Sequence, residues 1–118
     1  MVMKLWIDDI RVPPDDEWVW VKNYDDARRY ITINWYEITD ISLDHDLGEN
    51  SKTGYDILVY IEGYLATGGR TCPWITFNVH SANPVGCKNM EAAIQSIKRL
   101  SIDRFKIEAE LFKAKTEL

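Results

Sequence analysis

The sequence predicts a single α/β domain built around a parallel sheet. Three observations carry that prediction. The chain has 118 residues, which fits one domain over 1–118. From Tyr24 onward, short apolar runs alternate with segments of helical period. Acids and histidines stand immediately after three of the four apolar runs. Alternating strands and helices require parallel pairing with right-handed crossovers and helices on the sheet faces.

The elements follow in order. Residues 4–7 form a short apolar strand that ends at Asp8 and Asp9. The next connection carries Arg11, Pro13, Pro14, Asp15 and Asp16, and two adjacent prolines forbid a regular helix there. Residues 18–21, alternating Trp and Val, read as a second strand. Asn23 or Asp25 caps a helix in which Ala27, Tyr30 and Ile31 recur at helical spacing. Residues 38–43 form a central strand that runs into Asp44-His45-Asp46-Leu47-Gly48.

After a polar loop over 49–53, Gly54 opens a helix with Ile57, Leu58, Ile61 and Leu65 on one face, and Gly68-Gly69 stops it. Residues 74–79 make the fourth strand, followed by His80-Ser81-Ala82-Asn83-Pro84. Residues 89–100 form an amphipathic helix with Met90, Ala93, Ile94, Ile97 and Leu100 inward. The core therefore covers 4–100. The extension 101–118 reads either as helix through Ile107, Leu111 and Phe112, or as a strand over 105–107 and then helix. Its apolar face is expected to pack on the sheet, with a dimer surface as the alternative. The sequence leaves the oligomeric state open.

Composition removes several function classes. The net charge of −5 argues against duplex DNA as a partner, because such binding needs a basic surface that releases counterions. No apolar run approaches the length of a membrane span, so no membrane partner is expected. The first residues lack the apolar stretch of a signal peptide. Cys72 and Cys87 have neither metal-ligand nor redox-pair spacing. Reduced thiols and a cytoplasmic location are the expectation.

The candidate chemistry sits where open parallel sheets place their sites, beyond the carboxyl ends of strands. Asp8, Asp9 and Asp44 would repel one another unless a cation offsets them, and a hard divalent ion such as Mg²⁺ is the usual partner. His45 and His80 follow two different strands. If those strands are neighbours, both rings reach one cleft and can divide acid and base duties, or ligate a metal. Asp46 would orient a histidine. Arg11, Ser81 and Asn83 offer donors for phosphate oxygens. No Walker-type or GxGxxG loop is present.

Trp6-Ile7-Asp8-Asp9, Ile41-Ser42-Leu43-Asp44, Val79-His80-Ser81-Ala82 and Gly54 resemble the strand ends of response-regulator receiver domains. Two departures stand out. The connection before Trp18 cannot hold a receiver's first helix, and the tail has no counterpart of the Lys-Pro after the fifth strand. Asp8-Asp9-Ile10-Arg11-x-Pro13, Leu43-Asp44-His45-Asp46-Leu47-Gly48, Thr53-Gly54-Tyr55-Asp56 and His80-Ser81-Ala82-Asn83-Pro84 are more similar to a divergent offshoot, the cyclic-phosphate processing receiver-like domains of bacteria and phages.

The resemblance covers roughly residues 4–100. It implies a three-layer receiver or flavodoxin-like fold whose first helix is missing or replaced by a loop. It also implies hydrolysis of a cyclic phosphate, such as the 2′,3′-cyclic ends left by RNA cleavage. The expected enzyme is a phosphoric diester hydrolase that uses Mg²⁺ on Asp8, Asp9 and Asp44. His45, His80 and Asp46 would be catalytic, and Arg11, Ser81 and Asn83 would hold substrate. Two rival readings keep the same pocket. One is a signalling module phosphorylated on Asp44. The other is a non-catalytic cyclic-nucleotide-binding protein.

Overall fold

The computed structural model describes residues 2–69 and 74–117. Its strands are β1 (Met3–Ile7), β2 (Trp18–Val21), β3 (Ile38–Leu43) and β4 (Thr76–Val79). Its helices are α1 (Tyr24–Ile33), α2 (Gly54–Ala66) and α3 (Pro84–Thr116). All the strands pair in parallel, in the order β2-β1-β3-β4. The α/β class, the parallel sheet and the loop in place of a first helix are those the sequence predicts. Cys72 lies outside the described residues.

Local chemistry explains the helix limits. Asn23, not Asp25, caps α1, its side chain accepting the Asp26 N–H. Thr53 and Asp56 form a reciprocal capping box at the start of α2. Gly68 has φ +102, a left-handed conformation that ends this segment without a Cβ clash. α3 starts five residues earlier than periodicity alone suggests. Asn83 caps it and Pro84 occupies its first turn, where a missing N–H costs nothing. It then runs without a break to Thr116, so residues 105–107 are helix and not strand.

The alternation of strand side chains separates two faces. Leu5, Ile7, Val21, Ile41 and Leu43 face one way and join the same core as Ala27, Ile31, Ile57, Leu58, Ile61, Leu65, Met90, Ile94 and Ile97 of the helices. Trp6, Trp20, Ser42 and Asn78 face the other way, in register across the sheet. Trp6 is only 8% exposed, yet it lies outside that core.

Right-handed crossovers account for the asymmetry. The steps β2→β3 and β3→β4 move in one direction and place α1 and α2 on one face. The step β1→β2 moves in the opposite direction and belongs to the second face, where the proline-bearing connection replaces a helix. Among the described residues the second face therefore carries no helix. The expected third layer is reduced to that connection and the tryptophans beneath it. Two indoles pin it: Trp6 Nε1 donates to Arg11 O at 2.8 Å, and Trp20 Nε1 donates to Asp8 O at 2.7 Å.

The extension does not pack on the sheet. The buried positions of α3 stop at Ser101. Beyond them Ile102, Phe105, Ile107, Leu111 and Phe112 are all exposed. The extended helix sets the long dimension of the molecule, 55 Å against 30 and 20 Å.

Candidate functional site

Register builds the site. Ile7, Leu43 and Val79 are aligned across β1, β3 and β4. The next residue of each strand is Asp8, Asp44 or His80, so these fall in one row at the carboxyl end of the sheet. All share the face of Trp6 and Ser42. Carboxylate oxygens of Asp8, Asp9 and Asp44 lie within 4.8 Å of one another. They line a cleft of about 530 Å³ together with Ile10, Arg11, Asp46, Gly48 and Glu49.

Asp8 is the fixed member. It is 1% exposed, and each of its carboxylate oxygens has a partner. Oδ1 accepts the N–H groups of Ile10 and Arg11 at 2.9 and 2.8 Å. Oδ2 lies 3.0 Å from His80 Nε2. Asp44 Oδ1 accepts the His45 N–H at 2.9 Å. Asp9 is half-buried beside the Gly48 turn. Gly48 has φ +111, which favours glycine and lets the loop pass close over the carboxylates.

His80 is held on every side. Its Nδ1 is 2.7 Å from Ser42 Oγ, and Asn78 Nδ2 donates to that same oxygen at 3.1 Å. Its ring stacks on Trp6 at 3.8 Å between centroids and 4° between planes. The small side chain of Ser42, on the strand between them, leaves room for the two rings to meet. The donors order themselves in one direction. The Asn78 amide donates to Ser42, the Ser42 hydroxyl to His80 Nδ1, and His80 Nε2–H to Asp8. That chain requires a neutral imidazole. Burial lowers the His80 pKa below the ordinary imidazole value, against the pull of its Asp8 hydrogen bond and of the Asp8 and Asp44 charges.

His45 lies apart. It is not among the residues that line the acidic cleft. Its ring stacks over Gly86 in the first turn of α3, where any Cβ would collide with it. Nδ1 is 2.9 Å from Asp46 Oδ1, and the Asp46 side chain is 68% exposed on the cleft rim. The expectation that both histidines enter one cleft is therefore corrected. β3 and β4 are neighbours, but the His80 ring stacks on Trp6 while the His45 ring packs on Gly86 of α3 and reaches the acidic cleft only through Asp46.

Ser81 and Asn83, expected to hold substrate, have local partners. Ser81 Oγ accepts the Asn83 N–H, and Asn83 Oδ1 accepts the Gly86 N–H, which fixes the start of α3. Neither lines the acidic cleft. Arg11 does line it, with Nη1 donating to His80 O at 2.8 Å. Sequence reasoning missed Trp6, Ser42, Asn78 and Gly86. A signal was present for Ser42, a small polar residue inside an apolar strand. Gly86, two residues after a proline that opens a helix, was another.

A parallel sheet in the receiver order, with carboxylates converging at its carboxyl end, defines a receiver-like α/β domain with an acidic cleft. The chain belongs to the family of cyclic-phosphate processing receiver domains, which it matches over residues 3–96. No curated protein and no solved structure matches it. Among the described residues no helix is long and apolar enough to cross a membrane.

Proposed function

We propose that the domain is a metal-assisted phosphoesterase that hydrolyses a cyclic phosphate, with 2′,3′-cyclic RNA or nucleotide ends as the substrate class. The observation that carries this reading is the convergence of Asp8, Asp9 and Asp44 within 4.8 Å. An all-carboxylate set of hard oxygen donors fits Mg²⁺ or a similar divalent ion. Three like charges at that spacing also favour a cation that offsets them. Family membership supports the cyclic-phosphate substrate.

Each residue then has a distinct task. Asp8, Asp9 and Asp44 hold the ion. A divalent cation bound there supplies Lewis-acid polarisation of the phosphoryl group. Arg11, anchored on His80 O, turns its remaining N–H donors toward the charge that grows on the phosphoryl oxygens. His45 accepts the proton of the attacking water by way of Asp46, which lines the cleft and whose Oδ1 is 2.9 Å from His45 Nδ1. His80 is a positioning residue. Its Nε2–H orients the carboxylate of Asp8, and it exchanges no proton with substrate.

Phosphorus NMR of the protein with 2′,3′-cyclic nucleotides and Mg²⁺ tests the reading. Conversion to a monophosphate, abolished by a chelator and by Asp44→Asn, is the expected result. A folded wild-type protein that leaves the cyclic ester intact would sink it. In that case mass gain on Asp44 after incubation with a small phosphodonor would point to the signalling alternative. Tight calorimetric binding without product would point to a binding protein.

A further inference from the structure

We infer that the projecting end of α3 is a self-association element, which pairs in parallel with the same helix of a second copy. The body holds α3 through Met90, Ala93, Ile94, Ile97 and Ser101. Past them, Arg104 Nη1 still donates to Leu65 O at 2.8 Å. The turns that follow leave Ile102, Phe105 and Phe112 exposed by 47%, 52% and 70%. Helical turns without tertiary packing are marginal in water, and large apolar side chains on them call for a cover.

Spacing and charge point to a second copy as that cover. Ile102, Phe105, Ala109 and Phe112 recur at intervals of three, four and three residues, an a/d spacing over eleven residues, with the exposed Ile107 and Leu111 outside it. Glu108 then flanks one side of the seam, and Lys106 and Lys113 flank the other. In a parallel pair, Glu108 of each copy faces Lys113 of the other. In an antiparallel pair, lysines would face lysines and Glu108 would face its own counterpart. Charge complementarity therefore selects the parallel arrangement. Glu108 also pairs with Arg104 and Lys113 with Glu117 along the same helix, at 3.7 and 3.8 Å, so a second copy would extend these pairs into a network.

The seam lies to one side of the face that packs on the body. It also lies beyond the matched family region, which ends at residue 96.

Sedimentation of the full chain across a concentration series is the test. A dimer mass is expected, with the dissociation constant rising at least tenfold in Phe105→Glu/Phe112→Glu at unchanged circular dichroism. Glu108→Lys and Lys113→Glu should each weaken the dimer, and the double exchange should restore it. A monomer at every concentration overturns the inference. So does an oligomer indifferent to the Phe substitutions, or one that the double exchange fails to rescue.

Discussion

His45 and His80 each follow a strand of the same sheet, and the two strands are neighbours, yet the rings live in different surroundings. His80 is 10% exposed, bonded through both nitrogens and stacked on an indole. His45 is 19% exposed and leans on a glycine, with a solvent-facing aspartate as its hydrogen-bond partner at 2.9 Å. The difference is one of packing: His80 lies against Trp6 and Ser42, whereas His45 lies against Gly86 at the start of α3. A position near a strand end brings a residue to the site, and the neighbours it meets there decide how firmly it is held.

The largest effect expected from breaking this contrast is on turnover. His45→Ala should lower the rate of cyclic-phosphate hydrolysis by about 10²–10⁴-fold, the span of a lost acid or base. Its cost in stability should stay below that of His80→Ala, because its hydrogen-bond partner Asp46 is 68% exposed and water replaces the lost bond. Urea denaturation beside the kinetic assay measures both. His80→Ala should reverse the pattern. It removes one hydrogen bond from the buried Asp8 carboxylate, which keeps the Ile10 and Arg11 N–H groups, and should cost about 1–3 kcal/mol. Equal stability losses in the two variants would remove the distinction between scaffold and reagent.

A smaller effect sharpens the scaffold side. Ser42→Ala strips the acceptor from Asn78, which is exposed and can turn to water, and the partner from His80 Nδ1, which is largely buried. A buried group left unpaired costs about 1–3 kcal/mol, again read from urea midpoints. Gly86→Ala probes the other side. Its Cβ would push the His45 ring, so kcat should fall while the His80 surroundings and the affinity for Mg²⁺ hold.

The smallest effect is in pH dependence. Burial depresses the His80 pKa in the native state, whereas the unfolded chain titrates near the ordinary value of about 6.5. Between those values the unfolded state binds more protons, so stability rises with pH there. Stability should therefore fall as pH drops from about 6.5 through the lowered native value. His80→Gln should flatten that part of the profile in a series of thermal melts. A His45→Gln profile that flattened instead would assign the titration to the wrong ring.

Much of the fold is legible in the sequence because local chemistry dictates it. Apolar runs of strand length, the adjacent Pro13 and Pro14, the Thr53–Asp56 box and the helical spacing of Ile57, Leu58, Ile61 and Leu65 each act within a few residues. The same local signals bring Asp8, Asp9, Asp44, His45 and His80 to the carboxyl ends of strands. What the tertiary structure alone decided was which of them meet. The alignment of Ile7, Leu43 and Val79 across three strands sets Asp8, Asp44 and His80 in one row, and that alignment depends on contacts between residues far apart in the chain. The same holds for Ser81 and Asn83, whose donors and acceptors close on the start of α3, and for the bare second face, where only the direction of each crossover determines which side a helix covers.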